Sequence, residues 1–461
     1  MLDWIKSNYS DLKYKIKPER LETIAQGLYH FELAVPGEKS RVHLRVDGNG
    51  TGILIVNANK IMHLNPTAVI MAYSALTDTH DEIVLNTLTY RYEVSKSEAA
   101  QDYKNFRKDL NELIRADGAC PIHDLDLEIK PPFSVQPSAP YRMDLALTYR
   151  CNNDCSHCYN ARPRNYREIS TDEWIEILDK LWNLGIPHVV FTGGEPTLRE
   201  DLHILIKHAE MNGQITGLNT NGRRLSNADY LHELVIAGLD HVQITVESHQ
   251  PEIHDKMVQS KGAWKQTIKG LENALDSPLF VMTNTTMLRN NSPFLSGTLQ
   301  FLSSIGVPTV GLNALIYSGQ GSSVGTGLKE KELSPLLDLA RTHTDNHNQR
   351  LIWYTPTQYC HFDPMQLELG VKGCTAALYN MCIEPDAGII PCQSYYQQLG
   401  NILVDPWENI WNHEISQNLR NRKMVPEKCS DCVLLPECGG GCPLIPQHPH
   451  TYHDQFGEIT L

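Results

Sequence analysis

The sequence contains no uninterrupted run of about eighteen apolar residues, so we expect no membrane-spanning helix. Its first residues, MLDWIKSNY, lack the apolar core of a secretory signal peptide. A strongly basic composition is also absent, because 40 Lys and Arg stand against 54 Asp and Glu, for a net charge of −14. A general nucleic-acid binder needs a basic face. These absences predict a cytoplasmic protein with no membrane and no nucleic-acid partner.

A dense disulfide framework is absent too, because 12 cysteines are spread over 461 residues. Most of them occur at the short spacings of metal ligands, which fits a reducing compartment. Hydrophobic residues at 41% and charged residues at 20% are ordinary for a globular protein. The length allows about two to four domains.

The most informative motif is the run CNNDCSHCY, whose cysteines are Cys151, Cys155 and Cys158. Three thiolates on one short loop can bind three irons of a cubane iron–sulfur cluster and leave the fourth iron open for chemistry. Zinc sites more often use C-x2-C pairs than this triple. A zinc loop or three unrelated buried thiols are the alternatives.

A second motif, HVVFTGGEPTL, runs from His188 to Leu198. Its β-branched residues predict a strand, and Gly193 and Gly194 predict a tight loop whose backbone can approach a ligand closely. Glu195 supplies a negative charge suited to an ammonium group, and Pro196 follows it.

Together the two motifs resemble those of radical S-adenosylmethionine (SAM) enzymes. The resemblance implies a catalytic [4Fe–4S] cluster whose open iron is chelated by the amino and carboxylate groups of SAM, with the residues from Gly193 to Pro196 holding the cofactor. It also implies that one electron, from a reductant such as flavodoxin or ferredoxin, splits SAM. The resulting 5′-deoxyadenosyl radical removes hydrogen from the substrate.

Strands and helices alternate from Tyr141 to about Gly321. Six βα repeats predict an α/β fold, a parallel sheet curled into a partial (β/α)6 TIM-like barrel. Its strand candidates are Met143–Leu147, His188–Phe191, Gln214–Leu218, His241–Val246, Leu279–Thr283 and Thr309–Leu312. Because the cysteine loop follows the first strand and the GGEP loop follows the second, both are expected at the carboxyl-terminal rim.

Polar residues at the ends of later strands suit a ribose or a carboxylate. By the resemblance, Thr245 occupies the position of a hydroxyl that meets the cofactor, and Tyr159 is a candidate to face the adenine. Ordinary strand-end polar groups and a core tyrosine are the alternatives. A family arginine often follows the pair His254-Asp255, but Lys256 stands here, so the partner of the SAM carboxylate is not assigned. The candidate cofactor residues on these strands are Asn219, Thr245, Glu247 and Asn284.

Cysteines are densest near the carboxyl end of the chain. Four follow the spacing C-x2-C-x5-C-x3-C, namely Cys429, Cys432, Cys438 and Cys442. Together with LGNILVDPWENIW and the three upstream cysteines they resemble the SPASM extension of radical SAM enzymes, which binds two auxiliary [4Fe–4S] clusters. The resemblance implies that the first cluster takes Cys374, Cys382, Cys392 and Cys442, and that the second takes Cys429, Cys432 and Cys438. A zinc ribbon is the alternative, since C-x2-C pairs also suit tetrahedral zinc.

The fourth ligand of the second auxiliary cluster is open, because the family usually supplies a further cysteine and none follows Cys442. Cys360 has a second possible role: with Cys120 it is a candidate hydrogen-atom donor for an epimerisation. A structural thiol is the simpler interpretation of each. The ligand position is either vacant or filled by one of Cys360, His448, His450, His453 and Asp454.

Residues 1–116 predict a small α+β unit, with strands at Ser40–Val46, Ile53–Asn57 and Lys60–Leu64 followed by three helices. This order resembles the winged-helix peptide-recognition domain of the PqqD-like type. The resemblance implies that the leader of a precursor peptide adds a strand to the exposed sheet edge. A plain structural or dimerisation domain is the alternative.

The expected organisation is therefore a recognition domain at 1–116, a Pro-rich linker at 117–140, the barrel at 141–325, a bridging region at 326–373 and a SPASM domain at 374–461. The expected function is maturation of a ribosomally made precursor peptide by carbon–carbon or thioether crosslinking, or by epimerisation. One alternative is oxidation of a residue in a folded protein, as sulfatase-maturing enzymes perform. Others are a small-molecule substrate and a non-enzymatic electron-transfer or zinc-binding scaffold.

Overall fold

The structure, a computed structural model, describes residues 18–35, 38–57, 60–114 and 137–445. The chain divides into two compact units at about residues 129 and 130. Most of the predicted linker at 117–140 lies outside the described residues. So do five predicted ligands or donors, Cys120, His448, His450, His453 and Asp454.

The amino-terminal unit is an antiparallel sheet with its strands in sequence order. They are β1 (Gly27–Val35), β2 (Glu38–Val46), β3 (Gly52–Val56) and β4 (Lys60–Leu64). The prediction of three strands was wrong, because it missed β1. Its signal is present in the sequence: Tyr29, Phe31 and Leu33 pack against the core and alternate with His30 and Glu32.

Three helices complete this unit: α1 (Pro66–Leu76), α2 (Asp81–Arg91) and α3 (Lys96–Ile114). Helix α1 begins where the Asn65 side chain accepts a hydrogen bond from the Ala68 N–H and Pro66 occupies the first turn. The apolar faces of β2, β3 and the helices form one core, with Leu44, Leu54 and Leu88 almost fully buried.

The larger unit is built on a ten-stranded sheet. The strands are β5 (Arg142–Thr148), β6 (His188–Gly193), β7 (Ile215–Thr220), β8 (His241–Thr245), β9 (Phe280–Thr286), β10 (Thr309–Asn313), β11 (Arg350–Trp353), β12 (Asn380–Ile383), β13 (Gly388–Ile390) and β14 (Gly400–Asn401). Their order in the sheet is β11-β10-β9-β8-β7-β6-β5-β12-β13-β14. Strands β5 to β11 are parallel to their neighbours, and β12 pairs in parallel with the other side of β5. The remaining two strands pair in antiparallel fashion beyond β12.

Helices between the parallel strands cover one face of this sheet. Helix α4 begins with a capping box, in which Ser170 and Glu173 satisfy each other's backbone N–H groups. Its Trp174, Ile177 and Leu181 are fully buried against the sheet. The helices are α4 (Thr171–Asn183), α5 (Leu202–Asn212), α6 (Ala228–Ala237), α7 (Pro251–Val258), α8 (Ala263–Leu275), α9 (Leu295–Ser304), α10 (Glu330–Asn346), α11 (Trp407–Trp411), α12 (Glu414–Arg420) and α13 (Leu435–Cys438).

The predicted partial barrel is confirmed, and four further strands extend its sheet: β11, from the bridging region, next to β10, and β12, β13 and β14 beyond β5. Several strand ends differ from the predicted ones by one to three residues, and one of these differences concerns a candidate site residue. Strand β8 stops at Thr245, so Glu247 lies beyond it rather than on it. Among the described residues, no helix combines the length and the apolar character that a bilayer crossing needs.

Candidate functional site

The loop with the three cysteines leaves the carboxyl end of β5, as predicted. It turns tightly: the Cys158 N–H donates to the Cys155 carbonyl at 3.1 Å, and the Asn153 N–H donates to the Cys151 sulfur at 3.4 Å. All three thiols are partly buried. The structure therefore brings them to one place on the rim.

Two arginines that sequence analysis missed hold this loop in shape. Arg164 donates to the carbonyls of Cys151 and Asn153 and pairs with Asp154 at 2.7 Å. Arg223, from the NGRR turn after β7, donates to the Asn153 side chain at 2.8 Å. Their positive charges lie beside a loop that is expected to carry thiolates. The NGRR turn was visible in the sequence, but nothing in it indicated this contact.

The GGEP loop packs directly on the base of the cysteine loop. The Gly194 N–H donates to the Thr148 carbonyl at 2.7 Å, and the Glu195 N–H donates to the Arg150 carbonyl at 2.8 Å. A side chain at Gly194 would place a Cβ only 2.6 Å from the Tyr149 carbonyl oxygen. The glycines of this loop therefore allow a close approach of the protein backbone at the start of the cysteine loop, where a larger residue would not fit.

Glu195 is fully buried and accepts four hydrogen bonds from the protein. Its Oε1 accepts from the Thr197 N–H and hydroxyl, at 3.1 and 2.6 Å, and from the Thr220 hydroxyl at 2.7 Å. Its Oε2 accepts from the Asn221 N–H at 2.8 Å. Burial raises the pKa of the Glu195 carboxyl, although these hydrogen bonds lower it in part. The carboxylate therefore ties the end of β7 to the turn that starts at Pro196.

A buried ion pair joins the cysteine loop to the end of β8. His157, between Cys155 and Cys158, donates through Nε2 to Glu247 Oε1 at 2.9 Å, and Glu247 Oε2 accepts from the Thr286 N–H at 3.0 Å. Burial alone would lower the pKa of His157, but the Glu247 carboxylate outweighs it and raises the pKa. Sequence analysis assigned Glu247 to the cofactor and gave His157 no role.

The other predicted rim residues lie on the strands where the sequence placed them. Asn219 and Thr245 are partly buried near the ends of β7 and β8. Asn284, on β9, accepts from the Asn313 side-chain amide at 2.9 Å. Tyr159 donates its hydroxyl hydrogen to Gln393 Oε1 at 2.9 Å, so it reaches the residue next to Cys392. Burial raises the pKa of the Tyr159 hydroxyl, so it stays protonated at neutral pH.

The cysteines predicted for the first auxiliary cluster share one buried neighbourhood. Cys374 and Cys392 pack against the same small apolar group, which contains Ala376, Ala377 and Leu419. Burial raises the pKa of the Cys392 thiol to about 12, and Cys374 raises it further. Burial likewise raises the pKa of Cys442, with Cys374 as the next cause. Cys382, on β12, is fully buried, and Cys392 is among the groups that raise its pKa.

The cysteines predicted for the second auxiliary cluster form another group nearer the surface. Cys438 is buried, Cys429 is partly buried and Cys432 is exposed. Burial raises the pKa of Cys429, and Cys438 and Cys432 raise it further. The Cys432 N–H donates to the Cys429 carbonyl at 3.1 Å, so these two cysteines share one turn.

The donor chemistry of these groups fits iron–sulfur clusters. Burial raises the pKa of the Cys151 thiol to about 11 and also raises the pKa values of Cys155 and Cys158. Such thiols hold thiolates only when nearby cations offset the charge, as irons do. Within the described ranges no three His, Cys, Asp or Glu side chains converge on a single metal ion. A cubane cluster needs no such convergence, because each iron takes its own thiolate.

Comparison with known proteins agrees with this geometry. Residues 145–294 match the model of the radical SAM superfamily, and residues 374–433 match that of the SPASM iron–sulfur cluster-binding domain. The chain carries a radical SAM domain followed by a SPASM domain. It is an enzyme that uses SAM, a catalytic [4Fe–4S] cluster and auxiliary iron–sulfur clusters. The alternatives of a zinc ribbon and a non-enzymatic scaffold are set aside by these matches.

Several known proteins are similar to this chain. SuiB of Streptococcus suis, bound to precursor peptide SuiA, superposes with a TM-score of 0.64 at 17% identity and covers 93% of this chain and 99% of its own. The enzyme anSMEcpe with bound AdoMet has a TM-score of 0.53 at 17% identity, over 66% of this chain and 89% of its own. Fe-coproporphyrin III synthase of Methanosarcina barkeri is 27% identical over 64% of this chain and 81% of its own.

Proposed function

We propose that this chain is a peptide maturase, which modifies a ribosomally made precursor peptide in its barrel. The observation that carries the proposal is the amino-terminal unit, a small four-stranded sheet with three helices that neither domain model includes. The likeness to SuiB covers 93% of the chain, so it has to include most of this unit. A small-molecule enzyme has no evident need of such a domain.

We assign the leader of the peptide to the free edge of β4. Among the described strands β4 pairs only with β3, so its outer edge is the place where an extended peptide would add a strand to this sheet. Ile61, on this strand, is 44% exposed and offers an apolar contact. Lys60 donates to the Leu113 carbonyl at 2.7 Å and so ties the start of the strand to the end of α3. A rigid edge of this kind lowers the entropy lost when the leader docks.

The face of the barrel sheet that the helices leave uncovered is polar, which suits a peptide backbone. Met143, Leu145 and Leu147 pack toward the helices, so the alternate residues of β5 point the other way. Among these, Arg142 pairs with the buried Asp144 at 3.0 Å. Amide-like groups on neighbouring strands, such as Asn284 and Asn313, can orient the peptide segment by hydrogen bonds.

The roles of the rim residues follow from their positions. Cys151, Cys155 and Cys158 would hold the catalytic cluster, whose electron splits bound SAM and starts hydrogen abstraction. The GGEP loop, Asn219, Thr245, Glu247, Asn284 and Tyr159 would form the SAM pocket. Glu195 acts there by fixing the end of β7, because its oxygens already accept four protein hydrogen bonds. The auxiliary clusters would accept the electron that a crosslink releases, whereas an epimerisation would need a hydrogen donor instead.

The first test measures whether the enzyme modifies a peptide. The enzyme is coexpressed with each short peptide encoded beside its gene, and the peptides are analysed by mass spectrometry. A loss of two hydrogens indicates a crosslink, and deuterium uptake from solvent without another mass change indicates epimerisation. Protein with alanine at all three loop cysteines is the control. Should no neighbouring peptide change while the reduced enzyme cleaves SAM, the peptide proposal fails.

The second test concerns the binding edge. We expect Ile61→Asp to weaken leader binding at least tenfold in fluorescence anisotropy, because it places a charge against the docked strand. Ile236→Asp, at a 72% exposed position on α6, is the matched control and should bind normally. Equal affinity of both variants would rule out β4 as the docking edge.

A second candidate is supported by one observation, the 27% identity to Fe-coproporphyrin III synthase. In that case the substrate is a small molecule that enters the barrel without the amino-terminal unit. Removal of residues 1–116 would then leave substrate binding unchanged, whereas the peptide proposal requires its loss.

A further inference from the structure

A short segment before the SPASM domain packs on the last cysteines of the second group. The Tyr359 N–H donates to the Cys438 sulfur at 3.4 Å, and the Cys438 thiol lies 3.5 Å from the Thr357 carbonyl. The approach is close: a Cβ on Gly441 would lie 2.9 Å from Gln358 Cγ. The fold therefore holds residues 357–360 against the loop that carries Cys438.

Cys360 ends this segment, directly after the residue that binds the Cys438 sulfur. The Cys360 thiol lies 4.0 Å from the side-chain oxygen of Gln358, the residue that packs on Gly441. The backbone contact of Tyr359 therefore brings Cys360 beside Cys438 from a distant part of the sequence.

The described cysteines separate into three groups. Cys151, Cys155 and Cys158 share the rim loop. Cys374 and Cys392 pack on one apolar group, and the resemblance to SPASM domains assigns Cys382 and Cys442 to the same cluster. We propose that Cys360 is the fourth ligand of the second auxiliary cluster, together with Cys429, Cys432 and Cys438.

A fourth thiolate closes the cluster, because each iron then has one cysteine. The second auxiliary cluster would have no open iron for substrate, so its role is electron transfer alone. Cys360 would also be unavailable as a hydrogen-atom donor. These consequences hold whichever substrate the barrel takes, so they stand or fall separately from the peptide proposal.

The first experiment needs no variant. Cys360 is exposed in the structure, so its free thiol should react with iodoacetamide. Anaerobically purified holoprotein and protein stripped of iron by a chelator are alkylated, and each cysteine is quantified by mass spectrometry. We expect Cys360 to react at least tenfold faster after iron removal, in step with Cys429, Cys432 and Cys438. If Cys360 reacts equally fast in both samples, it is not a ligand and the proposal is overturned.

The second experiment asks for the cluster type. The background is full-length protein with alanine at Cys151, Cys155 and Cys158, which lacks the catalytic cluster. Mild oxidation of a three-cysteine cubane releases the iron that has no thiolate and gives a [3Fe–4S] cluster visible by electron paramagnetic resonance. We expect almost no [3Fe–4S] signal while Cys360 is present, and about one [3Fe–4S] cluster per chain after Cys360→Ala.

Two control variants complete this design. Cys120→Ala removes the cysteine that is assigned to no cluster, and it should leave the signal near zero. Joint replacement of His448, His450, His453 and Asp454 by alanine should do the same. A strong signal before Cys360→Ala, or one that appears only with the joint replacement, would overturn the proposal. If Cys360→Ala fails to fold, the alkylation result decides.

Discussion

The buried Glu195 offers the sharpest test of how the rim is built. Glu195→Gln keeps the shape of the side chain and replaces one carboxylate oxygen by an NH2 group. Oε1 accepts three hydrogen bonds and Oε2 accepts one, so the amide should turn its NH2 toward Asn221. The Asn221 N–H then loses a charged acceptor at 2.8 Å and faces a donor instead. A hydrogen bond to a charged group contributes about 1.5–3 kcal/mol.

That loss should appear as faster local opening of the segment after β7. A change of about 1.5–3 kcal/mol corresponds to a roughly 10- to 150-fold larger opening constant. Hydrogen exchange followed by mass spectrometry, on a peptide that contains Asn221, measures it directly. Glu200→Gln is the control, because the Glu200 side chain is 85% exposed in its ion pair with Arg224 and should leave exchange unchanged.

The same variant distinguishes two roles for Glu195. Asn221 donates through Nδ2 to the Asn152 side chain at 2.6 Å, so loosening it should disturb the cysteine loop and reduce 5′-deoxyadenosine formation as well. If the product falls at least tenfold while exchange at Asn221 stays at the wild-type rate, Glu195 acts on SAM itself. The argument from its four protein hydrogen bonds would then be refuted.

Further variants probe other parts of the larger unit. Gly194→Ala should abolish binding of the catalytic cluster, because the new Cβ would collide with the Tyr149 carbonyl; iron and sulfide per chain measure this loss. Gly48→Ala is the control and should keep the cluster, because its Cβ would meet only the flexible end of the Gln26 side chain. Arg164→Ala should make the catalytic cluster lose iron to a chelator several-fold faster, because Arg164 holds the cysteine loop through two backbone carbonyls. Arg167→Ala, at an exposed position, is the control and should leave the rate unchanged. Equal rates in both variants would contradict this role of Arg164. Burial lowers the pKa of His241 from 6.5 to about 4. Between pH 6.5 and 4 the imidazole is therefore protonated in the unfolded chain but neutral in the folded chain. The stability of cluster-free protein should therefore fall by up to ~3 kcal/mol from pH 6.5 to 4; His241→Asn should flatten this slope in thermal unfolding, and exposed His232→Asn should keep it.

The sequence by itself determined the elements whose signals are local. The three rim cysteines and the GGEP run identified the chemistry, since ligand spacing and glycine content are properties of short segments. Alternating strands and helices predicted the barrel, and the order of its strands placed both loops on one rim. Strand β1 also has a local signal, the alternation of Tyr29, Phe31 and Leu33 with polar residues, so this strand too could be predicted from the sequence.

Only the tertiary structure decided which distant residues meet. The fold surrounds the Glu195 carboxylate with Thr197, Thr220 and Asn221, contacts that its position in the sequence did not indicate, and its role toward an ammonium group stays a prediction. His157 and Glu247 are ninety positions apart in the chain and join as a buried pair. Tyr359, the neighbour of Cys360, binds the sulfur of Cys438, which lies 79 residues further along the chain. Spacing along the chain carries no information on such meetings, because burial and charge act through space and depend on how strands and loops pack.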